Sequence, residues 1–275
     1  MSQNTLTVAL LTQVFPEESD WIRLPDALAQ AKALGAQLAV LPEIPLNPWS
    51  PVSKIALEED AEEVDGPRQR VMSATASTVG ISLLGGAIIR DPDTGIRHNT
   101  ALLYDGSGSC LSRYRKIHLP EEEGYWETSH FEPGQEPPAL VTSLPLTVGL
   151  QICSDVNRTT GFQLLGAMGA EVVLAPRCTP AETYERWKLV LRANAVTSSS
   201  YVISVNRPPP APDALVGGAS IAIGPDAEVL VETTDPVALV TLRRGVVEAA
   251  RVAYPGYLKV FPEVYAEGWK KLGGS

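Results

Sequence analysis

Thr147-Val148-Gly149-Leu150-Gln151-Ile152-Cys153-Ser154-Asp155-Val156 (TVGLQICSDV, residues 147–156) is the stretch on which the reading of this chain turns. Val148, Leu150 and Ile152 are apolar, with Gly149 between them, so Val148 to Ile152 reads as a short buried strand. Cys153, Ser154 and Asp155 then break the run with small polar residues. In an α/β sheet, ligands bind outside the carboxyl ends of strands. A cysteine delivered there is a candidate nucleophile. Taken alone it reads equally well as a buried, inert thiol, because position in sequence says nothing about thiolate character. The remainder of the chain decides between the two.

Working outward, Thr5 to Thr12 is a β-rich opening strand, Trp21 to Leu34 has helical spacing closed by Gly35, and Ala36 to Leu41 is a second strand. This βαβ unit implies parallel neighbours. A proline-rich loop follows at 47–53, then an acidic run, Glu58 to Glu63, read as a solvated face or a helix start. Arg68 to Val79 is a helix closed by Gly80, and Ile81–Ile89, Asn99–Asp105 and Cys110–Tyr114 are strands joined by tight turns. A long Glu-, Gly- and Pro-rich loop runs on to Pro138, long enough to carry function. Beyond the cysteine, Gly161–Gly169 and Glu182–Thr197 are helices flanking a strand at Glu171–Ala175. Tyr201–Val205, an exposed loop at Pro208–Pro212 and a three-strand meander to Leu242 complete the pattern. Hairpins mixed with βα units predict two stacked mixed sheets covered by helices, in one domain over residues 1–275. Residues 243–275 form an aromatic tail, with Tyr254, Tyr257, Phe261, Tyr265 and Trp269, expected to pack on its own domain or on a partner subunit.

The 275 residues are 44% hydrophobic and 20% charged, ordinary for a globular protein, and the net charge is −10. With no Lys/Arg-rich patch, nucleic acid is not an expected partner. No apolar run approaches the roughly 18 residues of a membrane span, and the N-terminus lacks a basic n-region, so neither membrane nor secretion is expected. Three widely spaced cysteines fit free thiols in a reducing cytoplasm. His98, His118 and His130 form no metal-binding spacing, so no metal is expected.

Four polar residues stand in telling places. Glu43 ends a buried strand, Lys116 ends a hairpin strand, Glu127 lies in the long loop and Cys153 ends the central strand. If these strand ends share a rim, the chemistry follows. A carboxylate in a partly buried site suits a general base, a thiol needs such a base to attack, and an ammonium stabilises the negative charge of a tetrahedral adduct.

LPEIPLNPW around Glu43, YRKIHLP around Lys116 and LQICSD around Cys153 resemble, in order and spacing, the three signature blocks of the nitrilase superfamily of carbon–nitrogen hydrolases. GYWETSHFEPG is similar to the stretch that supplies that family's second glutamate, and most resembles the N-carbamoylputrescine amidase and N-carbamoyl amino acid amidohydrolase branches. HNTALLYDGSG and VGGASIAIGPDAEVL also resemble family blocks, so the likeness runs to about residue 242. It implies an α/β fold, the four-layer α-β-β-α sandwich of two mixed sheets. It implies Glu43 as general base, Cys153 as nucleophile, Lys116 as transition-state stabiliser, the Ser154 backbone N–H in the oxyanion hole, and Glu127 positioning lysine and substrate. No cofactor is implied. The expected partners are water, a small amide or ureido substrate and a second subunit, giving a homodimer or higher homo-oligomer.

The chain departs from the pattern after Asp155, where Val156-Asn157-Arg158-Thr159-Thr160 lacks the usual Pro-Glu. Arg158 or Arg177 is a candidate to hold a substrate carboxylate, or else a surface ion pair. Trp49 and Trp126 are candidate pocket walls, or packing anchors. Three functions remain open: a hydrolase of small amides or N-carbamoyl amines acting through a thioester, an acyltransferase using the same thioester, and a catalytically silent interaction protein.

Overall fold

The computed structural model describes residues 4–208 and 216–272. The expected loop at 208–212 falls, apart from Pro208, outside them. The elements, in chain order, are β1 (Thr5–Leu10), α1 (Leu24–Ala33), β2 (Leu38–Val40), β3 (Ala61–Glu62), α2 (Pro67–Val79), β4 (Ser82–Arg90), β5 (Arg97–Tyr104), β6 (Cys110–Arg115), β7 (Glu121–Glu122) and β8 (Tyr125–Trp126). There follow β9 (Leu140–Val141), β10 (Val148–Leu150), α3 (Thr160–Met168), β11 (Val172–Leu174), α4 (Tyr184–Ser198), β12 (Tyr201–Ser204), β13 (Ser220–Ile223), β14 (Val229–Thr233), β15 (Ala238–Arg243), α5 (Arg244–Val252) and α6 (Pro262–Leu272).

One sheet runs β15-β1-β2-β4-β5-β6, with β3 also on β4, and the second runs β9-β10-β11-β12-β13-β14. Read in these orders, both show the same succession: antiparallel, parallel, parallel, antiparallel, antiparallel. The two halves are structural counterparts that no sequence repeat discloses.

Alternation along each strand sets the layers, since successive side chains point to opposite faces. Leu6, Val8 and Leu10 join Val148, Leu150 and Ile152 in a core between the sheets. Ala9 and Leu11 face outward onto Leu28 of α1 and Met72 of α2. Val173 and Val202, on the outer face of the second sheet, meet Phe162 and Leu165 of α3 and Leu191 of α4. The result is the expected four-layer α-β-β-α sandwich. The central strands of both sheets are buried on both faces, which is why they read as near-continuous apolar runs.

One expectation is corrected. The acidic run is solvated only at Glu58, Glu59 and Glu63, whereas Asp60 and Glu62 are buried. Glu62 accepts from the Arg68 and Gln69 backbone N–H groups at 2.9 and 3.0 Å, capping the first turn of α2, whose orphan donors need such an acceptor. The tail from Arg244 onward holds two helices, α5 and α6. α5 docks through buried Val247 and through Arg244, which pairs with Glu171 at 2.9 Å. α6 buries none of its residues, and Phe261, Tyr265 and Trp269 stand exposed. No helix among the described residues is long and apolar enough to cross a membrane.

Candidate active site

β2 and β4 are parallel, β5 runs back beside β4, and β6 reverses again. The carboxyl ends of β2 and β6 therefore lie at the same edge as the amino end of β5. Glu43 follows β2, Lys116 follows β6 and Asn99 opens β5. The Lys116 ammonium donates to Glu43 Oε1 at 2.8 Å and to Glu127 Oε1 at 2.6 Å. Asn99 Nδ2 donates to the same Glu43 oxygen at 2.8 Å. The long loop reaches this edge by folding into the β7–β8 hairpin and a helical turn, in which the Glu127 N–H donates to Pro120 O at 3.1 Å.

The second sheet brings Cys153. The chain leaves β10 still extended, and Cys153 N–H donates to Pro176 O at 2.9 Å. At Cys153 the backbone turns into the left-handed region, φ +43°. A non-glycine residue held there is strained and persists only where its surroundings over-determine it. Asp155 supplies the determination. Its buried carboxylate accepts from Ile152 N (3.1 Å), Tyr114 OH (2.9 Å), His118 N (2.9 Å) and His118 Nδ1 (2.7 Å). These bonds tie the cysteine turn to the strand carrying Lys116, across the two sheets. The Cys153 thiol rests against Cys178 O at 3.7 Å.

Glu43, Lys116, Glu127 and Cys153 are at most 4% exposed. Burial opposes the charge on Lys116, but the carboxylates of Glu127 and Glu43 outweigh it and hold the lysine well above its ordinary pKa. Burial pushes Glu127 up to about 8, against the pull of Lys116. Burial, with the charge of Glu43, also lifts the Cys153 thiol well above its ordinary range, so the resting sulfur is protonated. Glu43 Oε2 and Glu127 Oε2 are buried without a hydrogen-bond partner among the described residues. Buried acceptors seldom stay unmatched, and two beside one lysine mark a place where a substrate group belongs. Lys116 spends two of its three N–H donors on the carboxylates, leaving one.

The Glu127 shift sets a pH dependence of stability. Between its ordinary value near 4.5 and about 8, native Glu127 holds a proton that the unfolded chain has released. Its contribution to stability therefore declines as pH rises through that interval, by on the order of a few kcal/mol in all. Glu127→Gln removes the titration. The difference in Tm, variant minus wild type, is expected to grow from pH 5 to pH 8, and a flat difference would contradict the assignment.

The remaining candidates separate. The Arg177 guanidinium is fully buried and turned to Thr179 Oγ1 (3.2 Å), Ser204 O (3.1 Å), Ser204 Oγ (3.0 Å) and Ala219 O, so its donors are spent inside the second sheet rather than open to a substrate carboxylate. Arg158 is exposed and lines a groove of about 670 Å³ with His118, Pro138, Thr160 and Trp269, which none of Glu43, Lys116, Glu127 and Cys153 lines. Trp49 is a packing anchor that also borders the site: its indole N–H donates to Gly124 O at 2.8 Å, and its ring meets Tyr125. Trp126 is half-buried, with the Lys54 ammonium 4.0 Å above its ring. The Ser154 hydroxyl donates to His118 O, which orients the residue after the cysteine. His130 is held by Ser53 O at 2.7 Å. Ile44, Trp49, Tyr125, Phe131, Cys178 and Val216 form an apolar cluster that adjoins Glu43 in sequence and Cys153 through Cys178. Among the described residues no group of three or more His, Cys, Asp or Glu side chains could hold a metal ion.

Asn99 and Asp155 are the site residues that sequence reasoning missed. Asn99 had a signal. It shares the inward face of β5 with Ala101 and Leu103, and a polar residue on a core-facing register invites a partner.

The family profile described as carbon–nitrogen hydrolase matches residues 6–252. An omega-amidase of Danio rerio is 30% identical over 218 residues, covering 76% of each chain. A carbon–nitrogen hydrolase from Helicobacter pylori G27 has a TM-score of 0.85 at 19% identity, covering 97% of this chain and 99% of that one. An amidase from Nesterenkonia sp. AN1, 25% identical with a TM-score of 0.73 over 86% of this chain and 92% of that one, was solved as a glutamate-to-glutamine variant with acrylamide added at its active-site cysteine. Two of these three are named as amidases, and none singles out the N-carbamoylputrescine branch.

Proposed function

The chain belongs to the carbon–nitrogen hydrolase family, within the nitrilase superfamily, and on that premise we propose that it hydrolyses a small amide through a thioester on Cys153. The observation that carries this is the Lys116 ammonium seated between two buried carboxylates, each with one unpartnered oxygen. Because the resting thiol is protonated, thiolate is not stored and must be made as substrate arrives. Glu43 takes the thiol proton while Cys153 Sγ attacks the amide carbon. The developing oxyanion is met by the third Lys116 N–H and the Ser154 backbone N–H. Glu43 returns the proton to the departing nitrogen, ammonia leaves, and the acyl group remains as a thioester. Water, deprotonated by Glu43, then attacks that carbonyl, and the acid and the free thiol are restored. Glu127 fixes Lys116 and offers Oε2 to the substrate's amino group. The GYWETSHFEPG loop keeps N-carbamoyl amines as a second substrate class, which would yield ammonia, carbon dioxide and an amine.

The test is ammonia release from short aliphatic amides, ω-amides, N-carbamoyl amines and nitriles, with intact mass measured after acid quench. Release on amides, with an acyl mass added at Cys153, is the expected result. Product that forms only when an amine acceptor is supplied would assign an acyltransferase. No release and no adduct across the panel would sink the hydrolase reading.

A further inference from the structure

Beyond Glu43, Lys116, Glu127 and Cys153, one further side chain reaches the turn that carries Glu43. The chain leaves β12 at Ser204 and continues through Val205 and Asn206 to Arg207. Asn206 is locked in place: its N–H donates to Ser220 Oγ at 3.0 Å, and its Oδ1 accepts from Thr179 N at 3.0 Å. Arg207, 1% exposed, then reaches across to the first sheet. One terminal nitrogen donates to Glu43 O at 3.1 Å and Ile44 O at 2.9 Å, and the other to Asn47 O at 3.0 Å. The guanidinium lies 5.8 Å from the Trp49 ring centroid.

Two features show that this contact is more than packing. Ile44, next to Glu43, has φ +37°, which a β-branched side chain strongly disfavours. The carbonyls on both sides of that strained link are gripped by one guanidinium. In addition, among the described residues the charge bonds to carbonyls and to no carboxylate, an arrangement costly enough to need a return. The titratable and charged groups facing Glu43 are Lys116, Glu127, Cys153, Cys178, Tyr125 and Arg207. Of these, Arg207 is the cation that holds the Glu43 backbone.

We infer that Arg207 is a positioning residue for the general base: its fork fixes the 43–47 turn so that Glu43 Oε1 stays on Lys116 and Asn99 while Oε2 is left for the thiol. This rests on the role proposed above for Glu43. Lysine cannot substitute, because a point ammonium cannot span carbonyls at 43, 44 and 47 together.

Arg207→Met and Arg207→Lys separate the charge from the fork. For the methionine variant, kcat is expected to fall about 100-fold with KM changed little, as for a displaced catalytic group. The lysine variant keeps the charge without the fork and should still lose about 10-fold in kcat with KM changed little. Each activity is normalised to the folded fraction by circular dichroism. Should methionine prevent folding, the lysine variant alone decides, through its split between kcat and KM. Cys153 alkylation by iodoacetamide, followed against pH, reads the same positioning without any substrate. Folded variants with wild-type kcat, KM and alkylation rate overturn the inference. A wild type silent across the amide panel instead overturns the functional reading, and leaves the alkylation profile to judge Arg207.

Discussion

Cys153→Ala is expected to reduce ammonia release by about 10⁴-fold or more, the scale seen when a covalent nucleophile is deleted, while leaving the fold in place. The argument for an intact fold is structural. The substitution removes one sulfur whose only hydrogen bond is a 3.7 Å contact to Cys178 O. The turn itself is fixed by Asp155 and by the Cys153 N–H bond to Pro176 O, neither of which involves the thiol. A change in stability of no more than about 1–2 kcal/mol follows, since the atom lost is small and lies at the edge of the inter-sheet core. Activity has no such reserve. Cys178 is buried and its thiol is lifted well above its ordinary range by desolvation, so it offers no ready thiolate. Cys110 lies in β6 and is likewise shifted upward by burial. Ammonia release and Tm, measured on the same preparation, check both halves. Retention of more than about a tenth of wild-type turnover would mean that water is attacking directly, with Glu43 as base and no thioester.

How much of this was legible in the chain follows from where the information sits. Strands buried on both faces announce themselves as apolar runs, so β1, β2, β4, β5, β10 and β12 were readable, and with them the strand ends bearing Glu43, Lys116 and Cys153. The convergence of those ends was not in any local pattern. It depends on β5 and β6 reversing beside β4, and on the second sheet stacking so that Asp155 can reach Tyr114 and His118. The two buried arginines show the same limit more sharply. In the sequence Arg177 and Arg207 are each one cation after a strand. Only the fold makes one a brace within the second sheet and the other a clasp on the turn at Glu43, because their partners are backbone carbonyls, which any sequence supplies. Glu62 looked solvated for a related reason: an acidic run is usually a surface, and what buries this residue is its job as a cap for α2. The α5 helix was missed because Gly245 and the β-branched Val246, Val247 and Val252 weaken local propensity, while its docking contacts, Arg244 to Glu171 and Val247 to the core, are tertiary.

Lys116→Met should be the most damaging single change to stability, and the reason is electrostatic. The methionine matches most of the apolar stem but leaves Glu43 and Glu127 buried, adjacent and without a cation. Removing one partner of a buried ion pair costs about 3–5 kcal/mol, because the survivor keeps its desolvation penalty. Here two carboxyl groups survive one lysine. Glu127 already holds its proton up to about pH 8, and losing the pull of Lys116 raises it further, so the deficit relative to wild type should widen as pH rises above 8. The double variant Lys116→Met with Glu127→Gln should recover part of the lost Tm at about pH 9, since that raised titration is gone. Turnover should stay down by about 10³-fold or more in both variants, because neither restores the N–H that meets the oxyanion. Thermal melts across pH together with ammonia release therefore separate the two duties of one lysine. If the double variant regained activity along with stability, Lys116 would serve only to neutralise its neighbours, and the charge on the tetrahedral adduct would have to be carried by the Ser154 N–H alone.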